Sequence, residues 1–304
     1  MKFIFLIFSF CIWILNHGEN AAGIMFDHSL KKEMLKRDIE KYVENQKGVI
    51  AVSLLIPGEN IYLGINDTMV FHAASTMKVP VMCELFRRIE AGEIRLDEKV
   101  LVKNEFASII DGSSYQLDIA DDSGDSLYSM LGKPVTIEFL IKDMITVSGN
   151  LSTNILIEIV GADKVQLLMS KINANEMRIL RGVEDIKAFR AGKNNVTTAR
   201  ALTTIFEAIL NERICNKTNT DRMIAILYQQ KFRDKIPARL PGSVKVAHKT
   251  GSITAISHDA GIIYPENKPP YVLSVLTSKF EDSVLAKECI AEISKRIYDW
   301  YISF

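Results

Sequence analysis

The hydrophobic periodicity of this chain changes twice along its length, and that order restricts the folds open to it. "VIAVSLLI" and "NIYLGI" are apolar, β-branched runs on either side of Pro57–Gly58, the pattern of two strands joined by a turn. Ahead of them, "SLKKEMLKRDIEKYVENQKG" carries Leu30, Met34, Ile39 and Tyr42 toward one face and stops at Gly48, which reads as an amphipathic helix. The middle of the chain is then helical. "STMKVPVMCELFRRIEAG" ends at a glycine, and "TIEFLIKDMITVS" starts at Thr136 as N-cap with Ile137, Leu140, Ile141 and Met144 on one face. "STNILIEIVG", "DKVQLLMSKI" and "TTARALTTIFEAILNER" follow. Strand patterns return in "SVKVAHK", "DAGIIYP" and "YVLSVLTS", and a last helix runs from about Val284 to Trp300. The economical solution is an α+β fold, an α/β/α sandwich. One antiparallel sheet of about five strands is built from both ends of the chain and flanked by the terminal helices. Residues 24–70 and 240–304 make this lobe, and an all-helical lobe spans about 71–239. Both belong to a single domain, 23–304, and a site is expected at the seam between the lobes.

The first residues stand apart. "MKFIFLIFSFCIWIL" is a lysine followed by an apolar run, and the polar and small residues of "NHGENAAG" come next. That order reads as a signal peptide over residues 1–22, hence a secreted protein. The run is short for a membrane span, which needs about 20 apolar residues; an uncleaved anchor is the other reading. Cys11 lies within it, without the small residues of a lipid-attachment site. Cys83, Cys215 and Cys289 remain, too far apart for a zinc site and too few for a disulfide framework. They read as small core residues, with one disulfide open to them. The 37 basic residues balance 37 acidic ones, which gives no electrostatic reason to expect a nucleic-acid partner.

Three short patterns carry chemistry. In "FHAASTMKVPVM", Ser75 and Lys78 lie three apart at a helix start and so share a face. A serine hydroxyl is a weak nucleophile until a neighbour takes its proton, and a lysine does so when burial lowers its pKa. Read alone, the pair is an N-cap and a solvated lysine. In "TVSGNLSTN", Ser148 and Asn150 sit in a turn where a hydroxyl and an amide can face one cleft, or simply end a helix. In "AHKTGSI", Lys249, Thr250, Gly251 and Ser252 end a strand pattern, where glycine permits a close approach and the lysine and hydroxyls suit an anion.

Together and in this order, S-T-M-K, S-G-N and K-T-G-S resemble the motif set of the serine β-lactamases and penicillin-recognising serine hydrolases, and within them class A. The resemblance covers nearly the whole chain after the first segment. It implies a β-lactamase/transpeptidase-like fold and hydrolysis of a β-lactam amide through a Ser75 acyl-enzyme. Glu184, in the loop "LRGVEDIKAF", stands at a spacing close to that of the family's deacylating glutamate. By the same resemblance, Lys78 or Glu184 acts as base, Ser148 passes a proton to the leaving nitrogen, and Asn150 holds Lys78 and the substrate amide. The N–H groups of Ser75 and Ser252 form the oxyanion hole, and Lys249, Thr250 and Ser252 take the substrate carboxylate. No metal or cofactor is required, the partner is a small β-lactam, and a periplasmic monomer without a lasting membrane partner is expected.

Three departures from the family pattern stand out. Gly149 replaces the usual aspartate of the second motif. Ala188 stands where an asparagine helps hold the deacylating water, which favours the alternative of a D-alanyl peptidase or another penicillin-acylated hydrolase that deacylates slowly. The stretch 104–135, rich in Gly, Ser and Asp, reads as a surface loop or insertion that could border the cleft. His248 reads as a half-buried strand residue or a lining of the site.

Overall fold

The computed structural model describes residues 30–303; the expected signal peptide, 1–22, lies outside them. Helix α1 (30–44) buries Leu35 and Ile39 and leaves Leu30 and Met34 exposed. The expected stripe through Leu30, Met34, Ile39 and Tyr42 is therefore not the buried one. Leu35 and Ile39 are four apart and share a face, whereas Met34 is rotated from Leu35 by about 100°.

Residues 46–303 contain the sheet. Strands β1 (Val49–Ile56) and β2 (Ile61–Ile65) form the expected hairpin, with Asn60 in the left-handed region closing its turn. The C-terminal strands are β3 (Lys245–Ile253), β4 (Ile256–Tyr264) and β5 (Tyr271–Ser278). Their order is β2-β1-β5-β4-β3, all antiparallel, so the two chain ends meet where Val49 pairs with Ser278 and Leu54 with Leu273. Strand β3 is an edge. It does not stop before the third motif but runs through it, with Lys249 opposite Ala260 and Gly251 opposite His258.

Side chains alternate across a strand, and the two faces meet different helices. Ala51, Ala260, Ile262, Val272 and Leu276 join the core that holds α7 (Ala199–Leu210) through Leu202, Ile205 and Phe206. Thr203 Oγ1 fixes that helix by donating to Ser274 Oγ at 3.0 Å. Helix α9 (Ser283–Ile302) covers the opposite face of β4 and β5 with Ile290, Ile293 and Ile297.

Helix α2 (Lys78–Glu90) is the axis of the helical block and is buried at every residue from Lys78 to Phe86, as expected of a helix apolar nearly all round. Pro80 falls in its first turn, where a missing N–H costs nothing. Around α2 pack α3 (Ile137–Thr146), α4 (Asn150–Val160), α5 (Ala162–Lys171) and α8 (Lys217–Leu227). Thr136 and Thr198 cap α3 and α7, accepting from the N–H groups of Phe139 and Ala201. The 104–135 stretch is more than a surface loop. Leu117 and Leu127 are buried, and Asp122 accepts from the N–H groups of Asn150 (2.7 Å) and Leu151 (2.9 Å), satisfying the open start of α4. Cys83 is a buried free thiol, so no disulfide involves it.

Candidate active site

Ser75 sits in a 3-10 turn, Ala74–Met77, that leads directly into α2. The turn is over-determined. Ala73 N–H donates to Asn195 O, Thr76 Oγ1 donates to Ala73 O at 2.6 Å, and Ala74, at φ 47, donates its N–H to His72 Nδ1 at 3.0 Å. A non-glycine residue in the left-handed region is strained, and here the strain lies beside the candidate nucleophile. The turn rests against strand β3. A Cβ built on Gly251 would lie 3.1 Å from the backbone nitrogens of both Ser75 and Thr76, so this approach is open only to glycine without a shift.

Behind Ser75 lie two wholly buried lysines. Lys78 Nζ donates to Ser148 O (2.7 Å) and Asn150 Oδ1 (2.8 Å), with longer contacts to Ser148 Oγ and Gly149 O. Burial lowers its pKa to about 8, and the charges of Asp122, Asp143 and Glu184 hold it from falling further. Lys249 Nζ donates to Ser148 Oγ at 2.9 Å and to Thr250 O at 2.8 Å. Its pKa is driven well below the ordinary value by burial, then by the positive charges of Lys78 and Lys235. The Ser148 hydroxyl therefore sits between two lysine amines, at the left-handed φ of 62. It is placed to pass a proton in either direction.

Asn150 joins the other half of the site. Its Nδ2 donates to Glu184 Oε1 at 2.8 Å, while its Oδ1 faces Lys78. Burial raises the Glu184 pKa, partly offset by the hydrogen bonds from Asn150 and from the backbone of Asp118. Glu184 itself has φ 61. Its neighbour Asp185 anchors the loop, accepting from Ser108 Oγ, Ile109 N–H and Ala188 N–H at 2.9 to 3.0 Å. Burial alone would raise the Asp185 pKa, but those three donors lower it.

Ser75, Asp121, Asn150 and Ser252 line two adjoining cavities. One, of about 360 Å³, also exposes Ser148, Thr250 and Lys235. The other, of about 650 Å³, reaches Glu184, His72 and Phe189. Ser75, Ser148, Asn150, Glu184, Thr250 and Ser252 thus converge on one cleft, with Lys78 and Lys249 behind it. Gly251 takes its place through backbone approach. His248 does not line the cleft. It is fully buried and pairs through Nδ1 with Asp259 at 2.9 Å; it shares a face of β3 with Thr250 and Ser252 but lies further along the strand, away from the cavity. Among the described residues, no cluster of His, Cys, Asp or Glu is arranged to hold a metal.

Several residues at the site carry no motif signal. Lys235 lies outside any helix or strand pattern, yet it is almost fully buried. Its Nζ donates to Ser252 Oγ (2.9 Å) and His258 O (3.1 Å), and burial lowers its pKa to about 8. Asp122 comes from the glycine- and serine-rich stretch, and Asp143 from a helix whose periodicity places it merely inward. A lone charged residue among ordinary neighbours offers no pattern to read.

A five-stranded sheet with a helical block, and a serine, two lysines, an amide and a carboxylate at their seam, define a β-lactamase-type serine hydrolase. The chain belongs to the beta-lactamase enzyme family, whose pattern it matches over residues 33–301. It is 22% identical over 277 residues to Beta-lactamase VEB-1 of Pseudomonas aeruginosa, covering 87% of this chain and 89% of that protein. It is 23% identical over 283 residues to Beta-lactamase SME-1 of Serratia marcescens, covering 88% and 89%. Its fold is similar to that of TLA-3 extended-spectrum beta-lactamase, with a TM-score of 0.79 and 24% identity over 90% of this chain and all of that one. It is likewise similar to PBP-A, with a TM-score of 0.78 and 23% identity over 89% and 96%. Among the described residues, no helix is long and apolar enough to cross a membrane.

Proposed function

We propose that the protein is a class A-like serine β-lactamase. Ser75 Oγ attacks the lactam carbonyl and forms the acyl-enzyme. Its proton goes to neutral Lys78, or to Glu184 through a water. With a Lys78 pKa of about 8, about a tenth of the molecules hold the neutral amine at pH 7. Ser148 then delivers a proton to the leaving nitrogen and is recharged from Lys78 or Lys249. The N–H groups of Ser75 and Ser252 receive the developing oxyanion. Thr250, Ser252 and Lys249 bind the carboxylate, with Lys235 orienting the Ser252 hydroxyl. Glu184 activates water for deacylation. The observation that carries this reading is the Asn150 amide, which accepts from Lys78 and donates to Glu184 and so couples the two bases at one cleft.

A chromogenic cephalosporin tests it. Turnover is expected from the wild type and not from Ser75→Ala. In Glu184→Gln, a penicillin adduct on Ser75 is expected to accumulate, with deacylation slowed by about 10²- to 10⁴-fold. Equal turnover in wild type and Ser75→Ala would sink the reading. One observation favours the slow-deacylating alternative, a D-alanyl peptidase-like hydrolase. Ala188 is fully buried and brings no polar side chain to the cleft, so Glu184 must hold its water without an amide there. A persistent adduct on the wild-type enzyme with negligible turnover selects that alternative. The proposal extends to residues 1–22 as a signal peptide, to a single catalytic domain over 23–304, and to a secreted, periplasmic monomer; the family relationship supports this part.

A further inference from the structure

The second motif lacks its aspartate, and the space this frees is filled. A Cβ built on Gly149 would lie 2.0 Å from Asp143 Oδ2, and one built on Gly124 would lie 3.0 Å from the same atom. The Asp143 carboxyl, from α3, is therefore wedged between two glycines. It is buried, and Oδ2 has no hydrogen-bond partner. The backbone closes the same link, since Asp143 O accepts from Gly149 N–H at 3.2 Å. Gly149 O and Ser148 O in turn accept from Lys78 Nζ.

We infer that Asp143 supplies from α3 the carboxylate that position 149 lacks, and that it is a positioning residue for Lys78, setting both the 148–150 turn and the charge of that amine. The inference rests on Lys78 serving Ser75. Asp143 is faced by Asp122 and Asp125, whose charges raise its pKa, and by Lys78 and the Ser152 hydroxyl, which lower it; burial is the largest effect, and the pKa rises to about 6. Lys78 is faced by Asp122, Asp143 and Glu184, which raise its pKa, and Lys249 lies across Ser148 from it. At pH 7 to 8 Asp143 is mostly ionised and so holds Lys78 toward its protonated form. Removing that charge frees the base at lower pH.

The test is Asp143→Asn, which preserves shape. The titration of Lys78 is followed by NMR of isotope-labelled lysine, assigned with Lys78→Met, and the pH profile of Ser75 acylation by benzylpenicillin is measured in parallel. Both midpoints are expected to fall by about 0.5 to 1 pH unit. The swap Asp143→Ala with Gly149→Asp is expected to restore them. An unchanged Lys78 titration in Asp143→Asn overturns the inference. If wild type is never acylated, the functional reading fails, while the lysine titration still decides this one. A stability cycle tests the shared space separately. Gly149→Ala is expected to lower the melting temperature in the wild type and to lower it less in Asp143→Ala, where the 2.7 Å approach to Ser152 Oγ is left; an equal loss in both backgrounds also overturns the inference.

Discussion

Adding one methyl group at Gly251 probes how closely strand β3 must approach the serine. The new Cβ would sit 3.1 Å from Ser75 N, Thr76 N and Thr76 Cγ2. Ordinary contact is about 3.5 to 4.0 Å, so something must move by about 0.4 Å or more. The Ser75 turn is held by Asn195, Ala73 and His72. Strand β3 is bound on one side only, by β4, and is the side that yields. Overpacking costs about 1 kcal/mol when an edge can retreat and up to about 3 when it cannot. For a chain of this size, the lower figure corresponds to a melting-temperature loss of about 2 °C. The chemical effect is larger, because the retreat carries Ser252 N–H away from Ser75 N–H and widens the oxyanion hole. Losing a whole donor costs about 10²- to 10³-fold, so a shift of a few tenths of an ångström is expected to slow acylation by about 10-fold. Gly251→Ala is therefore assayed by single-turnover acylation with benzylpenicillin, quenched and read as the adduct mass. Gly251→Val serves as the more severe case. An acylation rate within twofold of wild type in Gly251→Ala would refute the argument, since the contact would then be relieved without touching the reacting geometry.

Two further outcomes follow from burial. Ala188 is fully enclosed on helix α6 (Ile186–Arg190), with its N–H given to Asp185, so Ala188→Asn is expected to destabilise by about 1 to 3 kcal/mol rather than to speed deacylation; faster adduct loss in that variant would contradict this. Asp143 has a folded pKa near 6 against 3.8 in the unfolded chain, so the folded state binds more protons between these values and stability falls as pH rises from about 4 to 6. Asp143→Asn is then expected to gain up to roughly 3 kcal/mol over wild type at pH 8 and to converge with it at pH 4, read from urea melts at both values.

The periodic parts of the structure were legible because burial repeats. The hairpin about Pro57–Gly58 and the three C-terminal strands each repeat a signal across several residues, and Thr136 adds a cap at the start of a periodic run. Helix α8 (Lys217–Leu227) is absent from the sequence reading. Its run "NKTNTDRMIAIL" is polar for two turns, and only the Asn216 cap, accepting from Asn219 N–H, marks its start. The third motif reads as a strand end because Lys and Gly are depleted in strands. Tertiary pairing with His258–Ala260 overrode that preference. At the site, Ser75, Lys78, Ser148, Asn150 and Lys249 are legible because they fall into short local patterns, and Glu184 only through its spacing from them in the family resemblance. Lys235, Asp122 and Asp143 reach the same place from distant segments, and only folding reveals them.

Strand order has a consequence for how the molecule comes into being. β1 is the first strand of the sheet to be made, yet its partner on one side is β5, the last. Lys249 and Ser252 belong to β3, whose one strand partner is β4, itself paired with β5. The cleft cannot exist until almost the whole polypeptide has been synthesised. Such distant pairings are slow to form. A growing chain of this topology cannot complete its cleft until the C-terminal strands arrive.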